Sequence, residues 1–237
     1  MIKNTSYYDR EGRVYSSKRY PDKDFDYVHF FFKKRLRILL RMLLDTTEGG
    51  SDVSLLEIGC ADGVVSRAIA DEVPAVGEIV GIDTSEKMID AAREADNSPR
   101  STFFVRGSED ESKRYDIVVE VGVVNLTDRH AEYRYARDHL KDGGYYICSL
   151  ASSTSLRSRL KQRDHKDGFS HLLSYAEYES ELAAMFEIVD AKAYGLFIPF
   201  LWKIPLLARI IQPVESLVAG AFPGLFHEKI YLLRKSL

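Results

Sequence analysis

A chain of 237 residues, 45% hydrophobic and 29% charged, carries enough apolar material to bury a substantial core as one domain or one domain with an elaboration. Lys+Arg 33 against Asp+Glu 36 gives a formal net charge of −3, so no basic excess argues for nucleic acid. Two cysteines, Cys60 and Cys148, exclude a disulfide framework and point to a reducing compartment. The opening "MIKNTSYYDREGRVYSSKRYP" has no apolar run of the kind a secretory signal needs, and a cytoplasmic location is expected.

In chain order, "FDYVHFFFKKRLRILLRMLLD" (25–45) predicts a long helix, with apolar positions recurring at three and four and cations opposite. After the breaker "TTEGGSD", "VSLLEIG" predicts a short buried strand that ends in glycine. Residues 64–71 read as a helix, 78–83 as a strand, and 85–95 as a helix opened by Ser85 with Glu86 in its first turn. "STFFVR" and "YDIVVEVGVV" are the third and fourth strands, too close together for a full crossover helix between them. "DRHAEYRYARDHLKDGG" predicts a helix stopped by paired glycines, and "YYICSL" a fifth strand. Beyond it come a basic loop, a helix over 175–185, a strand "FEIVDAKAYGLFI", an apolar stretch, and a last strand "EKIYLLRK".

Strands alternating with helices imply a doubly wound α/β fold: a seven-stranded, mostly parallel sheet closed by an antiparallel edge strand. The chain then divides into an N-terminal helical cap (1–50), a core (51–150) and a C-terminal part (151–237) that completes the sheet and carries an apolar helical insertion at about 196–226.

The chemistry concentrates in "LLEIGCADG", where Gly59, Ala61 and Gly63 stand at every second position between a strand and a helix. Small residues there let a ligand approach the backbone and expose amide donors at a helix N-terminus. The turn alone also fits dinucleotide binding or tight packing. Glu57, two residues before the first glycine, would repel a pyrophosphate and attract an ammonium or sulfonium. Asp83, at the end of the next strand, suits the two hydroxyls of a ribose, or alternatively caps the following helix.

With both acids in place, these stretches resemble the class I S-adenosylmethionine-dependent methyltransferase family, in its small-molecule methyltransferase-domain branch. The resemblance implies a Rossmann-like fold over roughly residues 7–150 and S-adenosyl-L-methionine as cofactor. It places Glu57, Gly59, Cys60 and Ala61 at the methionyl end, Asp83 at the ribose, and Thr84 and Met88 beside ribose and adenine. Ser108 and Glu109 stand where the family has an adenine-contacting aspartate, and Glu120 where it floors the site beneath the sulfonium. "YYDREGRVYSSKRY" resembles the family's cap, with Tyr15 and Tyr20 reaching the cofactor. Met88 as core and the tyrosines as packing for the first helix are the competing readings.

Methyl transfer is an in-line displacement that depends on positioning, and a neutral acceptor also needs a base. Candidates beyond the strand ends are Asn125, His130, His165 and His171, with His171 and then His130 expected as the base; a carboxylic acid acceptor needs none. "GLFIPFLWKIPLLARIIQPV" (195–214) approaches the ~20 apolar residues of a membrane span, but Lys203, Arg209, Pro199, Pro205 and Pro213 argue against one. Burying ten such side chains is worth roughly 15–30 kcal/mol. Three destinations stay open: the chain's own sheet edge or a twin subunit, an apolar acceptor pocket, and peripheral contact with a membrane. With the basic loop "LRSRLKQRDHKDG" beside it, an amphiphilic or small-molecule acceptor is expected. A non-catalytic binding protein on the same fold and a NAD-dependent dehydrogenase are the rival functions; the presence of Glu57 and Asp83 argues against the first and Glu57 against the second.

Overall fold

The structure, a computed structural model, describes residues 14–21, 27–161, 172–198, 213–215 and 217–236. Its elements in chain order are α1 (Tyr15–Arg19), α2 (Tyr27–Thr46), β1 (Val53–Ile58), α3 (Val64–Glu72), β2 (Val76–Asp83), α4 (Glu86–Ala95), β3 (Ser101–Val105) and β4 (Tyr115–Glu120). Then follow a 3₁₀ turn (Val124–Leu126), α5 (Arg129–Asp138), β5 (Leu140–Ala151), α6 (Leu156–Lys161), α7 (Tyr175–Ala183), β6 (Phe186–Tyr194) and β7 (Glu228–Lys235).

The strands form one seven-stranded sheet in the order β3-β2-β1-β4-β5-β7-β6. β3, β2, β1, β4 and β5 run parallel, and the antiparallel pairing falls at the β6 edge, where β7 slots in reversed between β5 and β6. The period-two alternation of each strand sorts its side chains onto two cores. Leu55, Ile79, Ile117, Val119 and Ile147 meet Leu39 and Leu43 of α2 and Val65 and Ile69 of α3. Leu56, Val80, Val118, Tyr146 and Cys148 face Tyr133 and Ala136 of α5 and Tyr178 and Leu182 of α7. A sheet covered on both faces follows from near-continuous apolar strands such as "IVV" and "YICSL". The chain leaves β1 toward β2 and returns to β4 on β1's other side, so the crevice of this sheet lies beyond the carboxyl ends of β1 and β4.

Local chemistry explains most boundaries. Ser85 caps α4 by accepting from the Met88 amide at 3.3 Å, Asp128 caps α5 through the His130 and Ala131 amides, and Ser174 with Glu177 forms a capping box on α7. The β3–β4 connection is made of turns without a helix, as its length required. Two boundaries depart from the sequence expectation. The helix expected to be stopped by the paired glycines ends earlier, at Asp138, and "LKDGG" belongs to β5. The β4–β5 register jumps from Tyr115↔Leu140 to Ile117↔Tyr145, and the glycine pair takes up the extra length: Gly143 has φ +72°, and a Cβ on Gly144 would lie 2.9 Å from the Asp116 carbonyl oxygen. β4 ends at Glu120, four residues before the apolar run does, because Gly122 (φ +80°) turns the chain.

The apolar stretch after β6 lies mostly outside the described residues, but its two stems are described and they meet. Leu196 and Phe197 are buried, with Phe197 edge-on to Tyr27. Glu215, fully buried, accepts from the Gly195 amide at 2.9 Å and from the Tyr27 hydroxyl at 2.5 Å, and pairs with Lys34 at 3.0 Å. Both stems are therefore docked on α2. Leu217 and Phe222, 82% and 62% exposed, are not covered. No helix of the described residues is long and apolar enough to cross a membrane. Tyr27→Phe removes a hydrogen bond to a buried carboxylate, which is worth about 1.5–3 kcal/mol. The thermal midpoint should fall by roughly 2–4 °C per kcal/mol, and an unchanged melt would show that this contact does not hold the stems.

Candidate functional site

The turn after β1 is built from backbone in the left-handed region at every second residue: Gly59 (φ +73°), Ala61 (φ +50°) and Gly63 (φ +74°). A Cβ on Gly59 would meet Val123 Cγ2 at 2.2 Å, so the β4–α5 loop closes directly over that glycine. For Ala61 the left-handed conformation costs about 1–2 kcal/mol. Contacts from β2 offset it: the Gly59 and Cys60 amides donate to the Ile82 carbonyl at 2.7 and 3.0 Å, and the Ala61 amide donates to Asp83 Oδ2 at 3.1 Å. Asp83 Oδ1 accepts from the Ser85 amide at 2.9 Å, while the cap of α4 is Ser85 itself. Asp83 thus holds the bend from the neighbouring strand and leaves capping to Ser85.

Glu57 is buried at 2% exposure beneath this turn, in register with Gly81 of β2 and Val119 of β4. Ser66 of α3 donates to its Oε2. Burial pushes the Glu57 carboxyl up to about 8; Ser66 and Arg67 oppose the shift, and the negative charges of Asp83 and Asp62 add to it. Cys60 is buried too, its side chain packed with Ile89, Ala92 and Phe103 and its thiol pushed well up by burial, so only its backbone belongs to the turn.

Three residues that sequence reasoning missed join the site. Asp62, buried, accepts from the Ser16 amide at 2.9 Å and from the Ser16 hydroxyl, which fastens α1 to the turn. Arg35 of α2, 5% exposed, donates to the Tyr20 hydroxyl at 3.3 Å. Gly122 lets Arg35 in, since a Cβ there would lie 2.6 Å from Arg35 Nη1. Pairing across 46 residues of chain, as between Ser16 and Asp62, leaves no periodic trace. The lone arginine on the apolar side of α2 was the one visible signal. Tyr15 and Tyr20 are half-buried at the same place, Tyr15 stacked under the Arg19 guanidinium at 3.9 Å and Tyr20 5.8 Å from the Phe32 ring.

The remaining sequence candidates scatter. Thr84 and Ser108 are exposed, and Met88 is fully buried. Glu109 is committed to its own loop, accepting from the Gly107 amide at 2.5 Å and the Tyr135 hydroxyl. Burial works against its ionisation, but the bonds from Tyr135 and the loop amides hold it below the usual carboxylate range. Glu120 faces the opposite side of the sheet from Glu57, in the core of α5 and α7. There it accepts from Tyr146 at 2.6 Å, and burial with the Glu132 charge pushes it up to about 8. Strand parity predicts this face once β1 and β4 are in register at Glu57↔Val119. His130 is half exposed, 3.6 Å from Glu181, which also receives both ends of the Arg129 guanidinium. Asn125 braces the end of β5, accepting from the Ala151 amide at 2.7 Å and donating to the Tyr178 hydroxyl at 3.0 Å. His165 and His171 lie outside the described residues.

Glu57 and Glu120 have folded-state values raised above their unfolded ones, so each favours folding fully below about pH 4.5 and loses that contribution as pH rises toward 8. Denaturant melts should show stability falling between pH 5 and 8, by up to about 1.4 kcal/mol per pH unit for each group. Glu57→Gln should flatten that slope; an unaltered slope would mean that Glu57 is ionised throughout.

Comparison with known proteins now adds to this geometry. The family described as "Methyltransferase domain" matches residues 56–146, the segment from β1 into β5. A protein of Invertebrate iridescent virus 6 named for a methyltransferase, 235L, is 29% identical over 129 residues, 52% of this chain and 48% of its own length. Demethylmenaquinone methyltransferase of Staphylococcus aureus is 29% identical over 107 residues, 43% of this chain and 44% of its own. The chain thus spans about half the length of the curated relatives it matches. Among solved structures, magnesium protoporphyrin IX methyltransferase of Synechocystis PCC 6803 with bound S-adenosylhomocysteine superposes with a TM-score of 0.65. It is 15% identical, covering 98% of this chain and 100% of that one, which is a likeness of fold.

Proposed function

We propose that this chain, whose residues 56–146 match the family described as "Methyltransferase domain", is a class I S-adenosylmethionine-dependent methyltransferase that moves the methyl group of that cofactor to an oxygen or nitrogen of a small-molecule or lipid-like acceptor. The observation that carries the proposal is the left-handed turn 59–63 held between two acids, one buried beneath it and one at the end of the next strand. Burial keeps Glu57 from ionising, and an ammonium or sulfonium beside it would favour its charged form, whereas a pyrophosphate would disfavour that form further and gain nothing from it.

In this assignment Glu57 faces the methionyl ammonium and Asp83 the ribose hydroxyls, with the amides of Gly59, Cys60 and Ala61 along the tail. Thr84 and Met88 border the nucleoside. Ser108 and the backbone of its loop take the adenine edge, since Glu109 is spent on Gly107 and Tyr135. Tyr15 and Tyr20, clasped to the turn through Asp62, close over the cofactor. The acceptor's lone pair attacks the methyl carbon as the carbon–sulfur bond breaks and the sulfonium becomes a neutral thioether. The protein's part is to hold those atoms in line in a dry crevice. Where the acceptor is neutral, we assign the base to His171 rather than His130, whose ring lies against Glu181.

The docked stems of the apolar stretch and the exposed Leu217 and Phe222 support the lipid-like end of the acceptor range. So does a relative named for demethylmenaquinone. The same exposed residues would serve a peripheral membrane contact or a twin subunit.

Calorimetric titration with S-adenosylmethionine, S-adenosylhomocysteine and NADH tests the cofactor. Glu57→Ala and Asp83→Ala should each weaken S-adenosylmethionine by about tenfold or more, since each removes a charge-assisted contact, with the fold retained. Unchanged affinity in both variants would discredit the assignment, and tight NADH binding would favour a dehydrogenase.

A further inference from the structure

Between positions 213 and 225 the sequence carries a single charged residue, Glu215. That carboxylate is turned inward, fully buried and taken up by the Tyr27 hydroxyl, the Gly195 amide and Lys34. Every exposed residue among those described in this stretch is uncharged and non-polar. Leu217 and Phe222 lead them, the two most exposed large apolar side chains of the described residues. Their neighbours Val218 and Ala219 pack, half-buried, against the core that contains α2. The segment is thus fastened to the protein by its one charged group and shows water its apolar face. Leaving a Leu and a Phe exposed forfeits the stabilisation that burial gives them, and a patch of this kind marks a docking surface.

The charge beside the patch tells what covers it. α2 carries Lys33, Arg37 and Arg41 at four-residue spacing, a row along one side of the helix, and its one acid, Asp45, stands in the last turn. Arg37 and Arg41 are exposed. Arg37 lies 5.8 Å from the Phe30 ring, which Lys34 approaches at 5.7 Å while it holds Glu215. The cationic row therefore begins where the segment is docked. An apolar face bordered by cations complements a lipid bilayer with acidic headgroups, hydrocarbon within and negative charge at its surface. A second copy of the chain fits less well, because a two-fold contact on this face sets one cationic row beside its equal.

We propose that Leu217 and Phe222 enter the headgroup boundary of an anionic membrane, with Arg37 and Arg41 of α2 against the lipid phosphates. No helix of the described residues is long and apolar enough to span, so this is a segment lying on the surface. The inference goes beyond the methyltransferase assignment and does not rest on it.

Sedimentation of the full chain with vesicles tests it, using pure phosphatidylcholine against equal parts phosphatidylcholine and phosphatidylglycerol. The wild type should prefer the mixed vesicles by about tenfold or more and lose that preference at high salt. Leu217→Ser with Phe222→Ser should weaken binding to mixed vesicles by at least about tenfold. Arg37→Gln with Arg41→Gln should weaken it by about 10- to 30-fold. Thermal melts establish that each variant is folded. A wild type that binds neither vesicle, or folded variants that bind as it does, overturn the proposal. So does a dimer in analytical ultracentrifugation that Leu217→Ser with Phe222→Ser splits, if the wild type ignores vesicles; the face then belongs to a twin subunit. Should the Leu217 and Phe222 variant not fold, the arginine pair and the salt series decide, and no change in either overturns it. Titration with S-adenosylhomocysteine is read separately. A chain that takes the nucleoside and no vesicle sinks this proposal alone, and one that takes vesicles and no nucleoside sinks the cofactor assignment alone.

Discussion

The contact on which the site depends is the reach of β2 across to the turn after β1. The Ile82 carbonyl and the Asp83 carboxylate between them take the amides of Gly59, Cys60 and Ala61, and this is what keeps a non-glycine residue in the left-handed region at position 61. Remove that bracket and the strain at Ala61 has nothing to oppose it. In the proposed assignment the carboxylate that shapes the turn is also the one that meets a ribose, so structure and ligand recognition draw on one group.

Around that bend the fold buries two ionisable groups of opposite type. On the α2/α3 side a carboxyl, Glu57, lies so deep that burial outweighs its bond from Ser66. One strand away a guanidinium, Arg35, lies equally deep with a single long hydrogen bond among the described residues. Glu120, by contrast, is buried on the other face with Tyr146 and near Glu132, and its raised value belongs to the packing of α5 against the sheet.

The N-terminal helix and the stems of the apolar stretch both contact α2, the first through Tyr20 with Arg35 and Phe32 and the second through Glu215 with Tyr27 and Lys34. α1 is held through Asp62 and Ser16, the stems through Glu215, Tyr27 and Lys34. Both fastenings use a buried acid, Asp62 in one and Glu215 in the other. Phe197 is thereby packed into the core against Tyr27 and Phe31, with the Arg157 guanidinium 4.6 Å from its ring.

Much of this was legible in the residues alone, and for a reason. Patterns that depend on neighbours in sequence are local physics: the alternation in "EKIYLLRK", which became β7 end to end, the cap at Ser85, and the small residues at 59, 61 and 63 beside Glu57. What could not be read depends on which distant atoms meet. The glycine pair at 143–144 looks like a helix stop until β4 demands a bulge there, and Glu120 looks like a site residue until register assigns its face. Asp62 and Arg35 are an ordinary loop acid and an ordinary helix cation until Ser16 and Gly122 come to lie against them. The sequence by itself determined the fold class, the strand-turn-helix and the two acids, because propensity and periodicity act over a few bonds. Only the tertiary structure decided which charges are buried and what they face, because burial is a property of the packed whole.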